Sequence, residues 1–378
     1  MATDLQAKLN ALGDVPPRAV AAVDLILKDA ADRGASDVHF EPWADKLTVR
    51  FRLDGVVQPV ATLPKEIAAN VIARLKVLAE LLTYRLDIPQ EGGVRRDDGS
   101  DLRISTFPTI HGEKAVVRFF MAKASLTRLD QLGLGASQCQ QLANLLTERT
   151  GAILLTGPSG SGKTTTVYAC LEHLRSHQPG RQIVTIEDPV ERTLEGVVQS
   201  QVRPGTEFDF ARGLRSLLRQ DPEVIAVGEI RDRDTAATAT EAALTGHLLI
   251  STLHAGSAAG VVTRLLEMGL EPYLLTSSLR GILNQRLLRR FCDECHGQGC
   301  PQCANSGYRG RFLISEMVVP DAAFRQLILN RADTDTLAKQ VVEGQTTLRA
   351  EAERAVKAGV TSTEEVVRVL GLAHGLTK

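Results

Sequence analysis

Residues Gly157–Thr165 read GPSGSGKTT, a spacing of glycines, lysine and hydroxyls that suits phosphate binding. Gly157, Gly160 and Gly162 carry no Cβ to keep backbone N–H groups from converging on phosphate oxygens, and Pro158, Ser159 and Ser161 complete the turn. Lys163 is expected to open a helix, so its ammonium and the positive end of the helix dipole act on the outer phosphates together. The Thr164 hydroxyl is the expected Mg²⁺ ligand, with Thr165 in the same nucleotide-binding stretch. A second source of chemistry is EVIAVGEIRD, an apolar strand running into Glu229. Many P-loop ATPases place an Asp before such a Glu. Here that position is Gly228, so Mg²⁺ would rest on Thr164 and, through water, on Glu229 or another acid. The third is TIEDPVE at 185–191, where Glu187, Asp188 and Glu191 follow the strand Ile183–Ile186. Acids at the carboxyl end of a sheet strand sit where α/β sheets bind ligands, and one of them could polarise an attacking water. A solvated acidic loop is the plainer reading of the same spacing.

The segment CDECHGQGCPQC at 292–303 holds four of the six cysteines, Cys292, Cys295, Cys300 and Cys303, as two CxxC pairs four residues apart. CxxC turns bring two sulfurs together, and four thiolates complete a closed tetrahedral Zn²⁺ site of the structural kind. Gly297 and Gly299 supply the flexibility such a short link needs. Zinc sites usually have longer spacers, which makes the geometry a point to test.

These residues need elements to hold them. From Gly151 onward, AILLT, IVTI, EVIAV and LLIST alternate with helical stretches, which implies a mainly parallel sheet covered by helices. Ahead of it lies a smaller α+β region. PPRAVAAVDLILKDAADRG places Val20, Val23, Ile26, Leu27 and Ala30 on one helical face, opening at Pro17 and stopping at Gly34. KLTVRFRLDG alternates Leu47, Val49, Phe51 and Leu53 with polar residues and ends in an Asp54-Gly55 turn. A helix is expected at about 65–82, then strands LRISTF and AVVRFF. The expected organisation is residues 1–122 as the small domain, 123–131 as a linker, 132–291 as the nucleotide-binding core, 292–311 as the cysteine segment and 312–378 as a helical region.

With 378 residues, 44 Lys plus Arg against 45 Asp plus Glu, and 4% aromatic residues, the chain offers no obvious grip for a nucleic-acid strand. No run of eighteen apolar residues and no export signal is visible. Any membrane association is therefore expected to go through partners, and clustered cysteines in such a chain read as metal ligands rather than disulfides.

Taken in order, ASDVHFEP at 35–42, RLDG at 52–55, GPSGSGKTTT at 157–166 and TIEDPVE at 185–191 resemble the secretion-superfamily ATPases. LRSLLRQDPEVIAVGEIRD at 214–232, TGHLLISTLHAGSA at 245–258 and GYRGR at 307–311 extend that resemblance over nearly the whole chain. This family includes the E protein of type II secretion and the pilus assembly and retraction ATPases. The resemblance implies an α/β fold: a RecA-like P-loop ATPase domain preceded by a PAS-like α+β domain, assembled as a ring of six. It implies ATP/ADP, Mg²⁺ and Zn²⁺ as ligands and inner-membrane platform proteins as partners. Location would be cytoplasmic, peripheral to the inner membrane. Glu191 matches the position usually given as general base, and Glu229 the Walker B glutamate. His247 and His254 match the two histidines of the His box, with His254 the nearer to phosphate. Arg103 and Arg118 match arginines that the small domain directs toward nucleotide. Arg215, Arg219 and Arg231 lie in matching segments and suggest subunit contact or phosphate sensing. Many members precede the small domain with a region that binds an inner-membrane partner, whereas this sequence opens at the small domain. PQEGGVRR stands where the family often has PQDGR, so the corresponding arginine has no assignment. The expected function is a motor for secretion or pilus assembly. A pilus retraction ATPase, disfavoured by the four cysteines, and a nucleotide-gated adaptor with little turnover are the alternatives.

Overall fold

The computed structural model describes residues 4–13, 18–95, 101–120, 126–203, 205–344 and 346–372. Pro17 and linker residues 123–125 lie outside them. Two compact units are present: Met1–Ala124 with Gly299–Ser306, and Ser125–Gln298 with Gly307–Lys378.

In the first unit, helices α1 (Asp4–Asn10) and α2 (Arg18–Asp32) precede strands β1 (Asp37–Pro42), β2 (Lys46–Leu53) and β3 (Val56–Pro64). Helix α3 (Ala68–Leu78) and strands β4 (Gln90–Arg95), β5 (Asp101–Thr109) and β6 (Gly112–Phe120) follow. The six strands pair antiparallel in the order β3-β2-β1-β6-β5-β4. Helix α2 buries Ala22, Val23, Ile26, Leu27 and Ala30, and α3 buries Val71, Ile72 and Leu75. These share one core with Val38, Phe40, Ile104 and Val117 from one face of the sheet. The β2–β3 turn has φ of 48° at Asp54 and 84° at Gly55, the two positive values that a type I′ hairpin requires.

The expected helix at 65–82 is shorter. Residues 65–67 form a 3₁₀ turn, and α3 stops at Leu78. Glu80 takes a φ of 56°, Leu81 N–H donates to Lys76 O and Glu80 N–H to Val77 O. This is a Schellman stop made without glycine, so the sequence carried no stop signal. Gln90 then pins the following loop through Leu82 N, Leu82 O and Arg85 O.

The second unit begins with α4 (Ala136–Leu145), β7 (Gly151–Thr156), α5 (Lys163–His177), β8 (Ile183–Glu187), β9 (Val198–Gln201) and α6 (Phe210–Leu217). It continues with β10 (Val224–Val227), α7 (Arg233–Leu244), β11 (Leu248–Leu253), α8 (Ala258–Glu267), α9 (Pro272–Ser278), β12 (Leu279–Phe291) and β13 (Tyr308–Val318). Helices α10 (Ala322–Leu329), α11 (Thr334–Gly344), α12 (Leu348–Lys357) and α13 (Thr363–Leu370) complete it. The sheet order is β13-β12-β7-β11-β10-β8-β9, parallel except for β13.

Both faces of this sheet are covered, which is why β7, β8, β10 and β11 read as mainly apolar runs. Ala152 and Leu154 pack with residues of α7 and α8, while Ile153 and Leu155 pack with Ala169 and Leu171 of α5. Burying each of Ile153, Leu154 and Leu155 contributes about 1.5–3 kcal/mol, which makes β7 a firm support for the loop that follows it. No described helix is long and apolar enough to cross a membrane.

Candidate nucleotide site

Strands β7, β11, β10 and β8 are sheet neighbours in that order, and all four run the same way. Their carboxyl ends therefore lie side by side, at about 4.8 Å per strand. The phosphate loop leaves β7, His254 follows β11, Glu229 follows β10 two residues on, and the acidic loop leaves β8 at Glu187. Segments separated by up to a hundred residues thus converge on one crevice, where open α/β sheets bind ligands.

The loop from Gly157 to Gly162 enters α5 with Gly157, Gly160 and Gly162 at φ of 142°, 75° and 92°. A Cβ at Gly157 would sit 2.4 Å from Gln285 O and 2.6 Å from Ser161 Oγ, so only glycine fits. Lys163 is buried and folds back on the loop, donating to Gly157 O at 2.8 Å and Pro158 O at 3.1 Å. Burial pushes its pKa down, Glu229 opposes that and Arg286 adds to it. Ser161 Oγ is buried with no hydrogen-bond partner in the structure. An orphaned hydroxyl beside a buried ammonium and a helix N-terminus fits an anionic phosphate group.

The three acids after β8 differ in their surroundings. Glu187 is buried and accepts from Tyr168 OH, Thr185 Oγ1 (2.6 Å) and Gln199 Nε2 (3.0 Å), which leaves its carboxylate occupied by the fold. The Asp188–Pro189 bond is cis. Glu191 has its pKa raised by burial first and by Glu187 second, against a hydrogen bond from Thr164. That influence of Thr164 puts the Glu191 carboxyl near the start of the phosphate-loop helix.

Glu229 pairs with Arg231 and lies 3.5 Å from His254 Nε2. Gly228, where an Asp was the alternative, sits with its virtual Cβ 3.4 Å from Glu187 Cα, Ile186 O and the Phe210 ring. The two histidines part company. His247 stands before β11, its Nδ1 2.9 Å from Ala242 O, and the strand's six residues place it about 20 Å from His254. Arg215 and Arg219 are exposed at α6 and just beyond it.

Two features of this site have weak sequence signals. Tyr168 lies one helical turn past Thr164, and nothing but that spacing marks it. Arg286 is nine-tenths buried on β12, bonded to Asn284 Oδ1, Gln285 O and Gly256 O at 2.6–2.9 Å. Burial pushes its pKa down, against Glu316. It ties the loop after β11 to β12 through Gly256 O, and the polar run Asn284-Gln285-Arg286 inside an apolar strand is its signal.

In the first unit, Arg103 and Arg118 are direct cross-strand partners. Like charges facing each other across strands repel. Arg103 is balanced by Glu91 at 3.2 Å and Arg118 by Asp37 at 2.9 Å. Asp37 also meets Arg52 at 3.2 Å, so the ASDVHFEP and RLDG segments converge on one charged row.

The four cysteines sit in the loop joining β12 to β13, and their Sγ atoms all lie within 4.8 Å of one another. A tetrahedral site with Zn–S of about 2.3 Å has sulfur edges of about 3.8 Å, and Cys300 and Cys303 are already 3.7 Å apart. His296, Gly297, Gly299, Ala304, Asn305 and Gly307 all take positive φ. A Cβ at Gly307 would meet Gly297 O at 2.5 Å, so the short spacer closes only with glycine there. The donor set fits a structural zinc.

A family model described as type II/IV secretion system protein matches residues 17–368. The type II secretion system ATPase E of Vibrio cholerae serotype O1 is 40% identical over 375 residues, covering 92% of this chain and 74% of that protein. The type II secretion system protein E of Pseudomonas aeruginosa is 41% identical over 375 residues, covering 92% and 74%. Among solved structures, the pilus retraction motor PilT with bound ADP superposes with a TM-score of 0.63 at 28% identity, over 91% of this chain and 95% of that one. The Legionella pneumophila ATPase DotB gives 0.72 at 23% identity, over 95% and 98%, a likeness of fold. The fold is therefore of the RecA-like P-loop type, built on a parallel sheet.

Proposed function

The chain belongs to the type II/IV secretion system protein family, and we propose that it is an ATP-hydrolysing hexameric motor powering type II secretion or type IV pilus assembly. It works at the cytoplasmic face of the inner membrane and reaches that membrane through platform proteins. The observation that carries this reading is the convergence at four adjacent strand ends of a phosphate loop, Glu191, Glu229 and His254. Relatives near 40% identity named for type II secretion favour that system over a retraction motor, for which the likeness is 28% identical.

In this reading the loop amides of 157–165 and the Lys163 ammonium hold the phosphates of ATP. Glu191 takes a proton from a water whose oxygen attacks the γ-phosphorus. The bond from that phosphorus to the bridging oxygen breaks, its electron pair leaves with ADP, and phosphate is released. Burial and Glu187 raise the proton affinity of Glu191, as suits a base. Thr164 and, through water, Glu229 would hold Mg²⁺, which would supply neutralisation of phosphate charge. His254 orients Glu229 from the next strand. Arg103 and Arg118 reach the transferring phosphoryl group when the linker 123–131 closes the small domain over nucleotide, and stabilise its charge. Cys292, Cys295, Cys300 and Cys303 would hold Zn²⁺, which would fix the β12–β13 loop.

Binding and single-turnover measurements on Glu191→Gln test the assignment. ATP affinity should stay within about threefold, while turnover falls by on the order of 10²-fold or more. A variant that keeps a tenth or more of wild-type turnover would remove Glu191 from that role.

A further inference from the structure

We infer that Tyr168 is a positioning residue for hydrolysis, its hydroxyl clamping the Glu191 backbone so that the carboxylate is presented at Thr164. This rests on the reading of Glu191 as base given above. Thr164 and Tyr168 are four residues apart on α5, one above the other on the same face. The Tyr168 oxygen accepts from Glu191 N–H at 3.2 Å and Arg192 N–H at 3.3 Å, and the Thr164 hydroxyl is near enough to the Glu191 carboxyl to pull its pKa down against burial. The same hydroxyl donates to Glu187. Its one proton and both lone pairs are used, which is the full capacity of a phenol.

The surroundings make this a fixed point. Tyr168 is 5% exposed, and the Arg192 guanidinium lies 5.2 Å from its ring centre. Glu187, which receives the hydroxyl proton, is itself held by Thr185 and Gln199. Gln199 also holds Arg192 O at 3.0 Å and Leu194 N at 2.6 Å. Burial and Glu187 both raise the phenol's pKa, so the donor stays protonated. One helix thus carries the phosphate-binding Lys163, Thr164 and the anchor of the base loop. The loop cannot drift from the phosphates without breaking bonds to that helix. Phenylalanine would fill the same space, leave two amides without an acceptor and take from Glu187 the one donor at its Oε2.

The experiment compares the full chain with Tyr168→Phe and Glu191→Gln. Tyr168→Phe should bind ATP within about twofold of wild type, because the phosphate loop is untouched. Its kcat should fall by about tenfold to a hundredfold, since a misplacement of about 1 Å costs on that order. Residue-resolved hydrogen exchange should find the Glu191 and Arg192 amides protected in wild type and at least tenfold faster in Tyr168→Phe. A residue that merely fills the core would not release those two amides. If Glu191→Gln keeps its turnover, the base assignment falls and the clamp with it. If Glu191→Gln loses turnover while Tyr168→Phe keeps it, the base stands and the clamp is overturned. Should Tyr168→Phe fail to fold, rapid exchange of both amides in the wild type alone would overturn it, and protection would support it.

Discussion

Gly157→Ala should damage nucleotide binding far more than Gly160→Ala, although both glycines belong to the same loop. At Gly157 the φ of 142° is foreign to L-residues, and holding alanine there costs about 1–3 kcal/mol. The added methyl would also meet Gln285 O at 2.4 Å and Ser161 Oγ at 2.6 Å. Gln285 O is backbone of β12, which is paired on both sides by β13 and β7 and cannot withdraw, so overpacking adds about 1–3 kcal/mol. The loop will shift to escape part of that sum, and Lys163 shifts with it because its ammonium is bonded to Gly157 O. If about half of the combined ~4 kcal/mol is expressed as lost affinity, ATP binding weakens by roughly thirtyfold, each 1.4 kcal/mol being tenfold. Gly160 has a φ of 75° and nothing within 4 Å of its virtual Cβ, so alanine there pays about 1 kcal/mol of left-handed strain. That corresponds to about a fivefold loss. Fluorescent-nucleotide titration of both variants, with thermal unfolding as a check on folding, measures the difference. Gly157→Ala binding within threefold of wild type, or Gly160→Ala binding worse than Gly157→Ala, would refute the steric account.

Arg103→Ala should lower turnover by on the order of 10²-fold with little change in ATP affinity, because its stabilisation is felt in the transition state; parallel kcat and Kd measurements decide it. Cys300→Ser should bring the zinc content of protein purified without chelator from one per chain toward zero, as elemental analysis would read. It should loosen residues 292–307 to proteolysis while nucleotide binding persists. Burial raises the Asp37 pKa, but hydrogen bonds from Arg118 and Ser36 and the charge of Arg52 outweigh it, so the carboxyl lies below its usual 3.8. Its contribution is complete above pH 3.8 and disappears as pH falls through the lower folded value. Asp37→Asn should therefore flatten the acid-side fall in stability below about pH 4 and leave the slope above pH 5 alone, as urea unfolding across pH would measure.

The phosphate loop was legible because its chemistry demands glycine at fixed places, and each of those glycines has a positive φ or a close neighbour to justify it. The parallel strands were legible as apolar runs, since both faces of the sheet are covered. The edge strand β9 was not, because VQSQ has neither an apolar run nor alternation. Strand β12 hid behind its polar centre, although that run carries Arg286, which bonds Gly256 O in the loop after β11. The acidic segment after β8 announced three carboxylates without sorting them. The division between Glu187, spent on Tyr168, Thr185 and Gln199, and Glu191, placed at Thr164, depends on contacts from α5 and β9 that no local pattern encodes. The partnership of Asp37 with Arg52 and Arg118 is a pairing of β1 with β2 and β6, and only the register reveals it. Of the two histidines, His254 was legible as the nearer to phosphate because it follows the strand LLIST; the six-residue strand β11 has His247 at its start and His254 at its carboxyl end.

The central claim is that these strand ends form a working hydrolytic site, and phosphate release by the purified chain tests it most directly. Wild type and Lys163→Ala would be assayed across an Mg²⁺ titration at matched protein concentration, with oligomeric state recorded alongside. The account predicts phosphate release that requires Mg²⁺ in the wild type and falls to background in Lys163→Ala. Release that is equal in the two proteins, or absent from wild-type hexamers that bind ATP, would contradict it.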